Sequence, residues 1–112
     1  MEKMSEIIRR EFKKGDDIRD AGLTSPADIL RWDDIVYAEK EKFCDELQKL
    51  DVYRPKEKEG KLPVIVSVHG GGWVYGDKER YQYYCMNLAQ RGFCVVNFSY
   101  RLAPEWKFPA SP

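Results

Sequence analysis

One apolar run constrains this chain more than any other feature. Leu62–Val68 is short, rich in valine and almost uninterrupted, the pattern of a strand covered on both faces. It leads straight into His69-Gly70-Gly71-Gly72-Trp73. Asp77 then offers a cap for a helix over 78–91, which places Tyr81, Tyr84, Cys85, Leu88 and Ala89 on one face. Gly92 stops that helix after Arg91, and Phe93–Phe98 reads as a second buried strand. Strand, helix, strand in this order is a βαβ unit, with parallel strands and a right-handed crossover. The fold class is therefore α/β. In such sheets the binding loops lie at the carboxyl ends of strands, here His69–Trp73 and Tyr100–Glu105.

The first half of the chain is less regular. Met4, Ile7, Ile8 and Phe12 fall near helical spacing, predicting an amphipathic helix over 2–14 that Gly15 stops. Ser25-Pro26-Ala27-Asp28 predicts a brief second helix over 26–31, with Ser25 as cap and Pro26 in the first turn. Residues 32–37 and about 45–53 read as strands joined by a charged hairpin loop, the second closing at Arg54-Pro55. Residues 56–61 form a solvated turn. No repeat or shift in composition divides the chain, so 1–112 reads as one domain, with N-terminal helices over 1–31 and the sheet over 32–112.

Composition narrows the function. Hydrophobic residues at 43% are enough for a modest core. Nineteen basic side chains balance nineteen acidic ones, so nothing favours nucleic acid or an anionic membrane. No apolar run has the length of a membrane span, and the charged N-terminus lacks a signal-peptide core. A cytoplasmic setting is the expectation. Cys44, Cys85 and Cys94 are too few and too irregular for a disulfide framework, and Cys94 reads as a small buried hydrophobe. A single histidine cannot build a zinc site of the usual kind.

The glycine run has a specific chemical use. Acyl transfer builds negative charge on a carbonyl oxygen, and backbone N–H groups aimed at that oxygen stabilise it by about 3 kcal/mol each. Several such donors can crowd one atom only where no side chain blocks the approach, which three consecutive glycines at a strand end provide. A phosphate loop would need Gly-Lys-Ser/Thr to follow; Trp73-Val74-Tyr75 follows instead.

Val66-Ser67-Val68-His69-Gly70-Gly71-Gly72-Trp73, Gly76-Asp77, Tyr100-Arg101-Leu102-Ala103-Pro104-Glu105 and Phe108-Pro109-Ala110 occur in that order. Together with Leu50–Pro55 they resemble the hormone-sensitive-lipase-like branch of the α/β-hydrolases, which includes bacterial acetyl esterases and carboxylesterases. The resemblance covers about residues 26–110. It implies an antiparallel strand pair followed by the βαβ unit, a small ester as substrate and no cofactor. It implies that Gly71 and Gly72 donate the oxyanion N–H groups, while His69 and Gly70 brace the loop. Trp73 and Tyr75 either shape an acyl pocket or pack beneath the loop; the sequence leaves both open.

The family's nucleophile, acid and base follow later in chain order, and this sequence has no Gly-x-Ser-x-Gly. None of Ser5, Ser25, Ser67, Ser99 and Ser111 has an elbow context. A Cys85–His69 or Cys94–His69 couple is the remaining nucleophile, weighed against buried positions for both thiols. The expectation is a chain with half of an ester-hydrolysing site and no turnover alone, and a sheet with an open apolar edge prone to self-association. The alternative is a non-catalytic binding protein derived from a hydrolase.

Overall fold

A computed structural model describes residues 3–37, 48–72 and 74–103. The elements are helix α1 (Met4–Asp20), strands β1 (Ile29–Val36), β2 (Lys49–Pro55) and β3 (Val64–Val68), a 3-10 turn (Lys78–Tyr81), helix α2 (Gln82–Gln90) and strand β4 (Cys94–Phe98). They form one four-stranded sheet in the order β1-β2-β4-β3. β1 pairs antiparallel to β2, β2 antiparallel to β4, and β3 parallel to β4 from Val64↔Cys94 to Val68↔Phe98. The antiparallel pair and the βαβ unit stand as the sequence predicts.

The core lies between the sheet and α2. Ile29, Tyr53, Cys85, Met86, Ala89 and Val95 are buried together, with Ile65, Tyr81, Leu88 and Phe93 packed around them. The Asp77 carboxylate accepts the Arg80 N–H at 3.0 Å, the predicted cap. Gly92, at φ +103°, follows α2, and its N–H reaches the Ala89 carbonyl at 3.0 Å.

Several local expectations need correction. α1 does not stop at Gly15 but runs to Asp20. An interior glycine costs a helix about 1 kcal/mol, and tertiary contacts beyond it outweigh that: Asp16 accepts the Tyr75 hydroxyl at 2.6 Å and Asp17 pairs with Arg80 at 2.8 Å. No helix forms over 26–31. Pairing from Ile29↔Pro55 onward takes that segment into β1, burying Ile29, and Ser25 Oγ accepts from Arg31 rather than capping.

The buried face of α2 is Cys85, Met86 and Ala89, while Tyr84 is exposed. The 3-10 turn before α2 winds three residues per turn, which rotates the helix relative to a uniform 3.6 period. β3 is not covered on both faces: Val64, Val66 and Val68 are 61%, 58% and 58% exposed. It is also an edge strand, so the open apolar edge anticipated from the sequence is this one. Cys94 is half-buried rather than fully enclosed. Residues 38–47, including Cys44 and the expected hairpin loop, lie outside the described residues, as do Trp73 and 104–112.

Candidate active-site loop

Because Val68 pairs with Phe98 in parallel register, the two chains leave the sheet side by side. His69 and Tyr100 therefore meet: their rings stack at 4.1 Å between centroids and 9° between planes. The Tyr100 hydroxyl donates to the His69 carbonyl at 2.7 Å, and Tyr81 lies parallel beyond, at 5.9 Å. His69 is 3% exposed. Its Nδ1 is 2.8 Å from the Gly70 carbonyl; a carbonyl only accepts, so Nδ1 carries the proton. Nε2 is buried and has no partner among the described residues.

Burial holds the His69 imidazole below its ordinary pKa, outweighing the Gly70 carbonyl and Asp77, which favour the cation. The folded state therefore binds the proton less readily than the unfolded chain. Stability from this group is full above the unfolded value of about 6.5 and falls as pH drops through it. This is the chain's one histidine, and ordinary carboxylates titrate mostly below this window. Urea unfolding is thus expected to show a lower midpoint at pH 5.5 than at pH 7.5, with His69→Phe removing most of the difference. A midpoint independent of pH in the wild-type chain would contradict this placement of the ring.

The glycines are matched to the turn. Gly76 sits at φ +110°, and a Cβ there would come within 2.7 Å of His69 Nδ1 and 2.9 Å of the Gly70 carbonyl. Gly71 sits at φ +129°, where a Cβ would meet the Tyr75 carbonyl oxygen at 2.0 Å. Gly72, at φ +63°, has open space around that position. The Gly71 carbonyl accepts the N–H groups of Val74 and Tyr75 at 3.3 and 3.2 Å. In a trans peptide the N–H points away from the C=O, so the Gly72 N–H is turned outward. Among the described residues, no protein acceptor is bonded to the N–H of Gly71 or Gly72.

Tyr75 is 8% exposed and faces α1. Its ring meets Phe12 edge-on at 5.5 Å, and its hydroxyl donates to Asp16. Two further carbonyls of the site loops, those of Val74 and Ala103, accept from Arg9 of α1 at 2.7 and 2.9 Å. Sequence patterning gave no signal for Arg9 or Asp16, since both look like solvent-facing charges on an amphipathic helix.

Behind the loop lies a buried polar cluster that sequence reasoning also missed. Lys78 Nζ is 2.9 Å from Asp51 Oδ1 and 2.7 Å from Asp34 Oδ1. The carboxylates of Asp34, Glu79 and Asp51 raise the Lys78 pKa against the opposing effect of burial. Asn97 and Ser99 bond the Lys78 main chain at 2.7 and 2.9 Å. This occupies Ser99, which is 2% exposed. Cys85 is fully buried in the core, and burial raises its thiol pKa, the reverse of what a nucleophile needs.

Among the described residues no helix is long and apolar enough to cross a membrane. The BD-FAE family model matches residues 50–111. Ethyl acetate hydrolase of Pseudomonas putida is 40% identical over 63 residues, 54% of this chain and 20% of that protein. The crystal structure of esterase B from Lactobacillus rhamnosis matches with a TM-score of 0.80 at 30% identity, covering 91% of this chain and 32% of that one. The Pyrobaculum calidifontis esterase matches at 0.69 and 31% identity, covering 99% and 34%. The chain thus spans about a fifth of that curated relative and a third of those solved structures. By the extent of the family match, the chain belongs to the BD-FAE family and has the fold of an α/β-hydrolase esterase.

Proposed function

We propose that this chain supplies the oxyanion half of a carboxylic-ester hydrolase site. The observation that carries the reading is the outward turn of the Gly72 N–H, set by the internal bonding of the Gly71 carbonyl. When a serine attacks the ester carbonyl, the oxygen of the tetrahedral intermediate accepts the N–H groups of Gly71 and Gly72. Preorganised donors at that oxygen are worth about 10²–10³ in rate each. His69 and Gly70 brace the loop, held by the Tyr100 stack. Tyr75 seats α1 rather than lining an acyl pocket. The substrate class is a short-chain carboxylic ester, and no metal or organic cofactor is called on. The serine, its base and its acid belong to the part of the hydrolase fold that this sequence does not contain.

The test is a chimera in which this chain replaces the matching third of the Lactobacillus rhamnosis esterase, assayed on p-nitrophenyl butyrate. The chimera is expected to turn over, and the 112-residue chain alone to show no rate above buffer. Turnover by the chain alone at an ordinary enzymatic rate of about 1 s⁻¹ or more would defeat the account. The second reading, a non-catalytic binding protein, is favoured by one observation: the exposed valines of edge strand β3. That face also suits self-association of the isolated chain. An inactive chimera, with a native chain that stays folded and monomeric at all concentrations, would favour the binding protein.

A further inference from the structure

We infer that Arg9 is a positioning residue for the oxyanion loop, acting on the Gly72 N–H through two peptide units; its catalytic use rests on the reading of Gly72 given above. The path is short. Arg9 Nε donates to the Val74 carbonyl at 2.7 Å. The other end of that peptide, the Tyr75 N–H, donates to the Gly71 carbonyl at 3.2 Å. The other end of the Gly71 peptide is the Gly72 N–H. In trans peptides each C=O and N–H point in opposite directions, so the guanidinium and the two peptides line up head to tail.

The sign of the effect is fixed by the cation. A positive charge on the Val74 carbonyl draws electron density from that peptide and strengthens the Tyr75 N–H as donor. This in turn polarises the Gly71 carbonyl and strengthens the Gly72 N–H. Hydrogen-bond chains reinforce each other by roughly 10–30% per bond, and a charged donor bonds about twice as strongly as a neutral one.

Arg9 also holds the second loop. Its Nη2 donates to the Ala103 carbonyl at 2.9 Å, so one side chain spans the segments that follow β3 and β4. No residue of the helix carrying it is fully buried, so its seating depends on individual contacts with the loop. Phe12 and Asp16, one and two turns further on, both engage Tyr75. These contacts on Tyr75 fix the helix, and with it the guanidinium, against the loop. Lysine, a point charge lacking the planar fork, would supply the charge without the two-carbonyl span.

Two measurements test this. In the ¹⁵N-glycine spectrum of the 112-residue chain, Arg9→Met is expected to move the Gly72 amide proton upfield. Gly60 and Gly92, outside the path, should stay in place. In the chimera, Arg9→Met is expected to lower kcat about fivefold with KM unchanged, and Arg9→Lys to fall between. Where Arg9→Met fails to fold, Arg9→Gln, which keeps a donor and removes the charge, carries the same comparison. A Gly72 signal that does not move overturns the relay, whatever the chimera does. A signal that moves while kcat is unaffected leaves the relay standing and overturns the oxyanion assignment of Gly72.

Discussion

Gly71→Ala is expected to lower kcat of the chimeric esterase about 10²–10³-fold, while Gly72→Ala one residue later costs only a few-fold. The two glycines look equivalent in the sequence and are not equivalent in space. At Gly71 the added methyl would sit 2.0 Å from the Tyr75 carbonyl oxygen and 2.7 Å from its carbon, and φ is +129°. Both obstacles are backbone, so no side-chain rotation relieves them. The turn from 71 to 75 must open, and the two N–H groups held by the Gly71 carbonyl are lost with it. The Gly72 N–H then has no fixed direction. At Gly72 the methyl meets nothing, and φ is +63°, a left-handed conformation that alanine adopts at a cost of about 1–2 kcal/mol. Its N–H stays where it was. Steady-state kinetics on p-nitrophenyl butyrate, with melting temperatures measured alongside, separate the two. Equal losses at both positions would show that the internal bonding of the Gly71 carbonyl does not set the donor geometry.

That contrast marks the limit of what could be read from the chain. The glycine run, the strand before it and the βαβ unit around it were legible because each rests on short-range pattern: an apolar run, a cap at Asp77, a stop at Gly92. The family resemblance is the source of the roles proposed for Gly71 and Gly72. Features decided by distant partners were not legible. The length of α1 beyond Gly15 depends on Asp16 meeting Tyr75, 59 residues away. The loss of the helix over 26–31 depends on Pro55 being there to pair with Ile29. The phase of α2 depends on a turn of 3-10 geometry that composition does not announce. Charged residues were the hardest to place. Arg9, Asp51 and Lys78 carry no periodic signal, yet one holds the two site loops and the other two meet in the interior.

The interior pair gives the largest effect on stability. Lys78→Met is expected to destabilise the fold by about 3–5 kcal/mol, the usual consequence of removing one partner from a buried ion pair. Methionine keeps most of the lysine stem, so little packing is lost. What remains is Asp51, 1% exposed, without its cation. The Tyr53 hydroxyl still donates to its Oδ2 at 3.0 Å, and the Asp34 N–H to its Oδ1 at 2.9 Å, but two neutral donors do not offset a buried charge. Pairing Lys78→Met with Asp51→Leu should recover much of the loss, since an apolar pair of similar volume often replaces a buried ion pair without penalty. Urea unfolding of the two single variants and the double variant supplies the cycle. A loss below about 1 kcal/mol in Lys78→Met would instead put the ammonium in the class of exposed ion pairs. The full loss has a bearing on the loop as well. Lys78 follows Gly76-Asp77 directly, and its main chain is fastened to Asn97 and Ser99 of the β4 segment. The ion pair beneath it ties the far end of the glycine turn to β2, so the turn that presents Gly71 and Gly72 is held from α1 on one side and from the core on the other.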